Sequence, residues 1–489
     1  MDAIAPTDDL AGRYEDAKRR AVAGSGAMLT RHVLWALISL AGSAVLIRSL
    51  GPAHWASYGI AYFLILAFDN AFGASFLGRL VRTPDPPDAR DREAAAALMA
   101  LVGVGALALF AAISIPAADL YGRRELAGCL AGAGVCALVY SSRATSVALL
   151  ERDLRYRTVA AAELLDQATF YVLAIALVAA GQGLRGVAIA LAVRGVPAAV
   201  FLRRRQPSPR LGHLHRDRLR GLLGFGTPAM GASALVLFTG LVPAVVLGGG
   251  HARILGFVLA SATILGYAST AQVIVQRVGF PTFASLAADP ARLGSAIRRT
   301  VHLNNTLVVP LVASLGALSP VWLPLLLGSQ WRAAAPIFVG IAAGYAFSGV
   351  SAIGTTALQG LGHPGRAFRL QAATTALYAG AAFPLVLATP RLGVPIAWSA
   401  SRAFAAGLAA WLVRRAGHSL ASVAELAVLC VAAAVTVGLG ALTRSGGGIE
   451  AAAALAVLVP CWFALRRDDF TALWSSLRNL RGARLDPAG

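Results

Sequence analysis

Charge is what this sequence has least of. Only 13% of its residues are Asp, Glu, Lys or Arg, against about 25% in a typical soluble domain. With 57% hydrophobic residues and a mean hydropathy of +0.68, that shortage excludes an ordinary water-soluble core-and-shell protein. Lysine is nearly missing: of the 43 basic residues only Lys18 is not arginine. There are four cysteines, Cys129, Cys136, Cys430 and Cys461, all in apolar stretches and none at metal-ligand spacing from a histidine. This excludes a disulfide framework and a zinc or CxxC redox site, and leaves them as small core residues. No phosphate-binding glycine loop, metal motif or nucleophile–base constellation is present, so no metal or organic cofactor is expected. The first 28 residues are polar and charged, with the basic run Lys18-Arg19-Arg20 and no cleavable signal pattern after it, so the first apolar run is expected to remain in the mature protein.

What is there, in abundance, is long apolar runs. Fourteen segments are each long enough to cross a bilayer, at ~20 residues per span. They are expected at 28–47, 55–78, 94–115, 125–147, 162–181 and 186–202, then at 222–247, 253–275, 300–319, 333–357, 367–388 and 393–413, with a last pair at 422–442 and 449–465. Unsatisfied backbone groups are costly in lipid, so these must be helices or barrel strands. Barrel strands would be about ten residues long and would alternate in polarity. The runs here are longer and uniformly apolar, which predicts an all-α polytopic membrane protein.

The arginines orient it. Thirty-one of the 43 basic residues fall in alternate connections and the two tails, eight in the other connections and four inside apolar runs. By the positive-inside rule, the connections after even-numbered spans and both termini are cytoplasmic. The net charge of +20 would suggest nucleic acid in a soluble protein. Spread over short loops on one face of a membrane, it instead suits anionic headgroups, at about 1 kcal/mol per residue near the surface. The other connections are short, the longest running from about Pro320 to Arg332, which leaves no room for an outer domain. Trp322 and Trp331 flank that loop and are expected to be interface anchors.

The chain also repeats itself. Leu50-Gly51 is followed by Gly59, and Leu247-Gly248 by Gly256, at the same spacing. Tyr171 precedes Gly186-Val187-Ala188-Ile189-Ala190 by fifteen positions, as Tyr378 precedes Gly393-Val394-Pro395-Ile396-Ala397. Each match recurs six spans later. An even number of spans per repeat gives both halves the same orientation, so their expected symmetry axis lies along the membrane normal. The organisation expected is a cytoplasmic segment 1–27, a six-helix bundle 28–205, a cytoplasmic linker 206–221, a second six-helix bundle 222–415, an extra helix pair 416–466 and a cytoplasmic tail 467–489.

At this point particular phrases resemble a known family: LLERDLRYRTVAAAE (149–163), the Tyr171 to Gly186 stretch, FPTFASLAADPARLGSAIRR (280–299), LLLGSQWRAAAPIF (325–338) and ALQGLGHPGRA (357–367). Together they resemble the polysaccharide transporter (oligosaccharide flippase) family of the multidrug/oligosaccharidyl-lipid/polysaccharide exporter superfamily, over most of residues 28–415. The resemblance implies a flippase of the bacterial cytoplasmic (inner) membrane that carries undecaprenyl-pyrophosphate-linked oligosaccharide for surface polysaccharide (lipopolysaccharide or exopolysaccharide) biosynthesis. It also implies two six-helix bundles around a central cavity, two extra C-terminal helices, and polysaccharide assembly proteins as partners.

A charge deep in a bilayer costs ~2.5 kcal/mol or more, so it is a candidate functional residue. Arg194, in span 6, and Arg402, in span 12, occupy nearly equivalent places in the two repeats. Guanidinium forks suit phosphate, so the two are candidates for clamping a pyrophosphate headgroup. The one-residue mismatch in their spacing from Gly186 and Gly393 turns one side chain by about 100° relative to the other. The plainer reading is that each arginine pairs with a carboxylate or snorkels. Arg31 and Arg143, near the cytoplasmic ends of spans 1 and 4, are candidates for first capture of the headgroup, with snorkelling as the alternative. Asp69, in span 2 beside Asn70, is a candidate site for a coupling cation, H+ or Na+, with a structural ion pair to Arg31 or Arg143 as the alternative. Asp166, near the start of span 5, is a second candidate, with favourable placement at a helix N-terminus as the alternative. Gly240 and Pro243 are expected to interrupt span 7.

Three functions follow from these features. A lipid-linked oligosaccharide flippase working by alternating access uses cavity arginines to replace the water lost by an anionic headgroup. A cation-coupled multidrug exporter would need acids where this chain has arginines. A membrane polysaccharide polymerase or ligase would need an outer reaction loop that this chain does not have.

Overall fold

The computed structural model describes residues 7–82, 86–207, 216–270, 272, 283, 286 and 289–465. Among them every regular element is helical. The first part holds α1 (Thr7–Phe68), a π-helical turn (Asp69–Gly73), α2 (Ala74–Arg82), α3 (Ala89–Leu120) and α4 (Arg124–Arg152). It continues with α5 (Tyr156–Leu177), a second π-helical turn (Val178–Gln182), α6 (Gly183–Val193), α7 (Gly195–Arg205) and α8 (Arg216–Leu247). Then come α9 (Ala252–Ala268), α10 (Pro290–Ala317), α11 (Ser319–Leu327), a 3-10 turn (Ser329–Ala334) and α12 (Ala335–Gly360). The last helices are α13 (Pro364–Ala388), α14 (Gly393–Arg414), α15 (Val423–Arg444) and α16 (Gly448–Leu465).

Eight helical stretches are long and apolar enough to cross a membrane. Two of these contain a glycine break. Gly51 (φ 71°, ψ 172°) divides Val33–Phe68, and Gly181 (φ 82°) divides Tyr156–Arg205. Positive φ is costly for any residue with a Cβ, so each glycine is where the chain can turn between two spans. The pair α10 and α11, bent by 74° at their junction, is long and apolar enough only when the two are taken together. Three shorter apolar helices, Leu237–Leu247, Ala252–Ala268 and Gly448–Ala464, overlap further segments expected from hydropathy. Their outer faces carry apolar side chains such as Ile115, Val172 and Leu387, exposed by 66%, 70% and 73%. Faces of that kind suit acyl chains, whereas on a soluble monomer they would be a liability.

Several local expectations are corrected. α8 runs unbroken from Arg216 to Leu247, so Gly240 and Pro243 do not interrupt it. The loop from Pro320 to Arg332 is helical, and Trp331 is no interface anchor: it is fully buried, edge-on to Phe257 at 5.6 Å. Cys129 and Cys136 are core residues, but Cys430 and Cys461 are exposed.

The chain divides into two compact units, Met1–Leu50 with Ser57–Leu237, and Gly51–Ala56 with Phe238–Gly489. In the first, Phe76, Leu77 and Leu80 pack with Ala94, Leu98 and Leu222, and Leu150, Val159 and Ala162 pack with Ala198 and Leu202. In the second, Leu293, Ile297 and Val301 of α10 join Val350 and Ile353 of α12, Val413 of α14 and Leu429 of α15. The repeat is visible in each unit. Gly186, Val187 and Ala190 are buried while Ile189 is exposed, and Gly393, Val394 and Ala397 are buried while Ile396 is exposed. A Cβ on Gly186 would stand 2.6 Å from the Leu177 side chain, and one on Gly393 would stand 2.5 Å from the Leu385 carbonyl carbon. Both glycines thus let a helix start close against the end of the helix before it.

Candidate functional site

In the first unit the buried face of α5 repeats at helical spacing: Ala162, Asp166, Gln167, Phe170, Tyr171 and Ala174 all turn inward. Asp166 therefore does not sit at the helix N-terminus. It lies ten residues past Tyr156, about three turns in. Arg194, at the junction of α6 and α7, reaches it through Nη2 at 2.7 Å and Nε at 3.2 Å, both donating to Oδ2. Tyr140 Oη on α4 donates to the same oxygen at 2.8 Å. Arg194 Nη2 also donates to Gln167 Oε1 at 2.8 Å, and Gln167 Nε2 donates to Ser39 Oγ on α1 at 2.7 Å. Arg143, one turn beyond Tyr140, stacks over its ring at 4.2 Å and brings Nη2 to 3.8 Å from Asp166 Oδ1. That oxygen accepts no hydrogen bond. The ion pair Arg194–Asp166 is nearly dry, at 5% and 6% side-chain exposure.

This arrangement resolves several sequence alternatives. Arg194 pairs with a carboxylate. Arg143 does not snorkel but turns inward, its side chain 12% exposed. Asp69, at the first π-helical turn, is exposed and makes no ion pair or hydrogen bond among the described residues, so its alternative pairing with Arg143 is not formed. It lies within electrostatic reach of Arg143, Asp166 and Arg194. Arg31 lies on α1, but its side chain is outside the described residues.

In the second unit Arg402 stands one turn after Trp398 on α14, and its guanidinium lies over that ring at 4.1 Å. Trp398 meets Tyr378 of α13 edge-on at 5.6 Å and Tyr345 of α12 at 5.9 Å. Both phenols are within electrostatic reach of Arg402. Among the described residues no carboxylate lies within ion-pair distance of Arg402, and its Nε is buried without a hydrogen-bond partner. The two arginines that the repeat places one residue apart thus have unlike surroundings.

Other polar groups inside the spans escaped the sequence reading. Tyr140 and Gln167 complete the first network, and their spacing from Arg143 and Asp166 along one helical face was the signal available. In the second unit Glu425 is buried at the start of α15, with its backbone N–H donating to Ser422 Oγ at 3.0 Å. Its Oε1 accepts from Asn305 Nδ2 at 3.1 Å and lies 3.6 Å from His302 Nδ1, both on α10. Ser422-x-x-Glu425 ahead of an apolar run is a capping-box pattern, legible in advance as a helix start but not as a tie to α10. At the polar edge of the first unit, Arg218 bridges Asp88 and Asp91 at 3.1 and 3.2 Å. Asp88 caps α3, and the Asp91 backbone N–H holds its carboxyl below the ordinary value of 3.8. No group of three or more His, Cys, Asp or Glu side chains among the described residues is placed to hold a metal.

Multiple apolar spans with buried cations inside define a polytopic helical membrane protein, and its fold is that of a transporter. Over 92% of this chain and all of the other, it is similar to the lipid II flippase MurJ in an inward closed conformation, with a TM-score of 0.69 at 12% identity. It is also similar to an inward-facing multidrug resistance MATE family transporter of the MOP superfamily, with a TM-score of 0.51 and 17% identity over 85% of this chain and 95% of that one. A mutant form of the Vibrio cholerae MATE transporter VcmN gives 0.50 and 14% over 81% and 96%. No curated protein sequence matches the chain. The profile of the polysaccharide biosynthesis protein family matches residues 45–336, and the chain belongs to that family.

Proposed function

We propose that this protein is a flippase, not an enzyme, that translocates undecaprenyl-pyrophosphate-linked oligosaccharide across the bacterial cytoplasmic membrane by alternating access, with both termini cytoplasmic. Membership of a polysaccharide biosynthesis family and a fold shared with a lipid II flippase support it. The observation that carries it is the placing of arginines inside apolar spans of both units, Arg143 in one and Arg402 in the other. A pyrophosphate that leaves water needs charge-assisted donors at fixed positions, and guanidinium groups are the side chains best suited to it. Arg31, Arg143 and Arg402 form the proposed headgroup set and Asp69 the proposed site of a coupling cation, H+ or Na+, while Arg194 and Asp166 are committed to each other. Anionic lipids and polysaccharide assembly proteins are the proposed membrane partners.

The fold likeness also favours a cation-coupled multidrug exporter. A cationic drug would meet like charge at Arg402, which counts against that reading. Deleting the gene in its native cell discriminates the two. A flippase deletion accumulates lipid-linked oligosaccharide in the inner leaflet and loses surface glycan. Intact surface glycan together with hypersensitivity to cationic drugs would overturn the flippase reading.

A further inference from the structure

The repeat puts Arg194 and Arg402 within one residue of equivalent places, yet the charge balance around them differs. Arg194 commits Nε and Nη2 to Asp166 and Gln167, and the carboxylate cancels its charge at 2.7 Å. Among the described residues Arg402 is held by neutral groups alone. Its guanidinium rests on the Trp398 face at 4.1 Å, with Tyr345 and Tyr378 around that ring. A cation–π contact fixes a guanidinium's plane without consuming its N–H donors or its net charge. The packing that holds Trp398 is close: a Cβ on Gly344 would stand 2.6 Å from its Cδ1, so the indole is pressed against α12 and cannot swing away with the arginine. Arg402 is thus oriented yet uncompensated among the described residues, with a buried Nε that has no acceptor. An uncompensated cation within a span is costly, and an arriving anion relieves that cost.

We propose that the headgroup site is asymmetric: Arg402 on its Trp398 platform is the anion receiver, taking a pyrophosphate, while Arg194 is an internal counter-ion of Asp166 and does not touch the ligand. This rests on the flippase reading and narrows it, because a symmetric clamp would use both arginines. The same site accepts the pyrophosphate of a lipid or a free pyrophosphate, and the two sources differ only in the tail.

The test is titration of the purified full chain in micelles with sodium pyrophosphate, read by tryptophan emission, with the Trp398→Phe variant identifying the signal. Wild type should show a saturable change. Arg402→Ala should weaken binding about tenfold or more, as expected for a lost charge-assisted contact, and Arg402→Lys should retain part of it. Arg402→Gln replaces the alanine variant if that one melts early. The double variant Arg194→Gln/Asp166→Asn should bind within about twofold of wild type. A polyprenyl pyrophosphate that competes more strongly than the inorganic ion identifies the lipid as the natural source, whereas equal competition identifies the free anion, and both outcomes keep Arg402 as receiver. Unchanged binding in Arg402→Ala, or equal loss in the double variant, overturns the asymmetry. Flipping of a lipid-linked saccharide by Arg402→Ala at the wild-type rate overturns it and leaves the flippase reading intact. Pyrophosphate binding through Arg402 in a chain that flips no lipid-linked saccharide overturns the flippase reading and leaves the site.

Discussion

Removing Asp166 is the sharpest perturbation of the first unit. Asp166 is the carboxylate within 4 Å of both Arg194 and Arg143, and it accepts from Tyr140 as well. In the alanine variant Arg194 keeps Gln167 Oε1 as its remaining acceptor. Truncating one side of a buried ion pair leaves the other charge uncompensated and costs about 3–5 kcal/mol. The loss of Tyr140's acceptor does not simply add to that, since both bonds belong to one network. Asp166→Asn keeps an acceptor oxygen and should cost less, about 1–3 kcal/mol. If the cost comes from the orphaned charge, removing both charges should restore stability. Asp166→Leu/Arg194→Met should therefore lie much nearer wild type than either single variant. Reversible unfolding in mixed micelles, arranged as a double-mutant cycle, measures this, and a coupling of about 1–3 kcal/mol is expected. A cost below about 1 kcal/mol for Asp166→Ala, or a cycle that closes without coupling, would refute the reasoning.

Gly393→Ala should lower the unfolding midpoint by the equivalent of about 1–3 kcal/mol, because its Cβ meets backbone atoms of Leu385 and Val386 at 2.5 Å. Gly186→Ala should act in the same direction, while Gly365→Ala, with no atom within 4 Å of its Cβ, should not. Glu425→Ala leaves Asn305 Nδ2 without its acceptor and should cost about 1–3 kcal/mol, with faster engineered-cysteine cross-linking at α15 as the sign that this helix has loosened from α10. The Asp88 cap gives a pH dependence. Its folded-state pKa is depressed below 3.8 by the Asp91 amide, so its stabilising effect is complete above that value and is lost as pH falls through the folded pKa. Asp88→Ala should reduce hydrogen-exchange protection of the Asp91 amide at neutral pH, and the difference from wild type should vanish under strongly acidic conditions. A difference that persists there would contradict the capping role.

The fold was legible because a bilayer leaves few choices. Hydropathy marked fourteen segments, and eight long apolar stretches, two of them divided at Gly51 and Gly181, supply ten of them. The repeat was legible at Gly186 and Gly393 because close backbone approach admits only glycine. Trp331 misled because a tryptophan beside a polar loop reads as an interface anchor, and only the fold shows Phe257 against its ring. The deep charges were found one at a time, since each is conspicuous in apolar text. Their partnerships were not, because Asp166 and Arg194 are 28 residues apart and meet through the packing of α5 against α6 and α7. Nor does the one-dimensional text show that Arg402, one residue off the repeat position, would face Trp398 instead of a carboxylate.

The central claim is best tested by reconstituting the purified chain into proteoliposomes loaded with an undecaprenyl-pyrophosphate-linked oligosaccharide, then following its exposure to a membrane-impermeant glycosidase added outside. The account predicts that protein-containing vesicles give time-dependent cleavage beyond the fraction initially in the outer leaflet, and that Arg402→Ala slows it. Cleavage that stops at that initial fraction with folded protein in the vesicles, identical to protein-free liposomes, would contradict it.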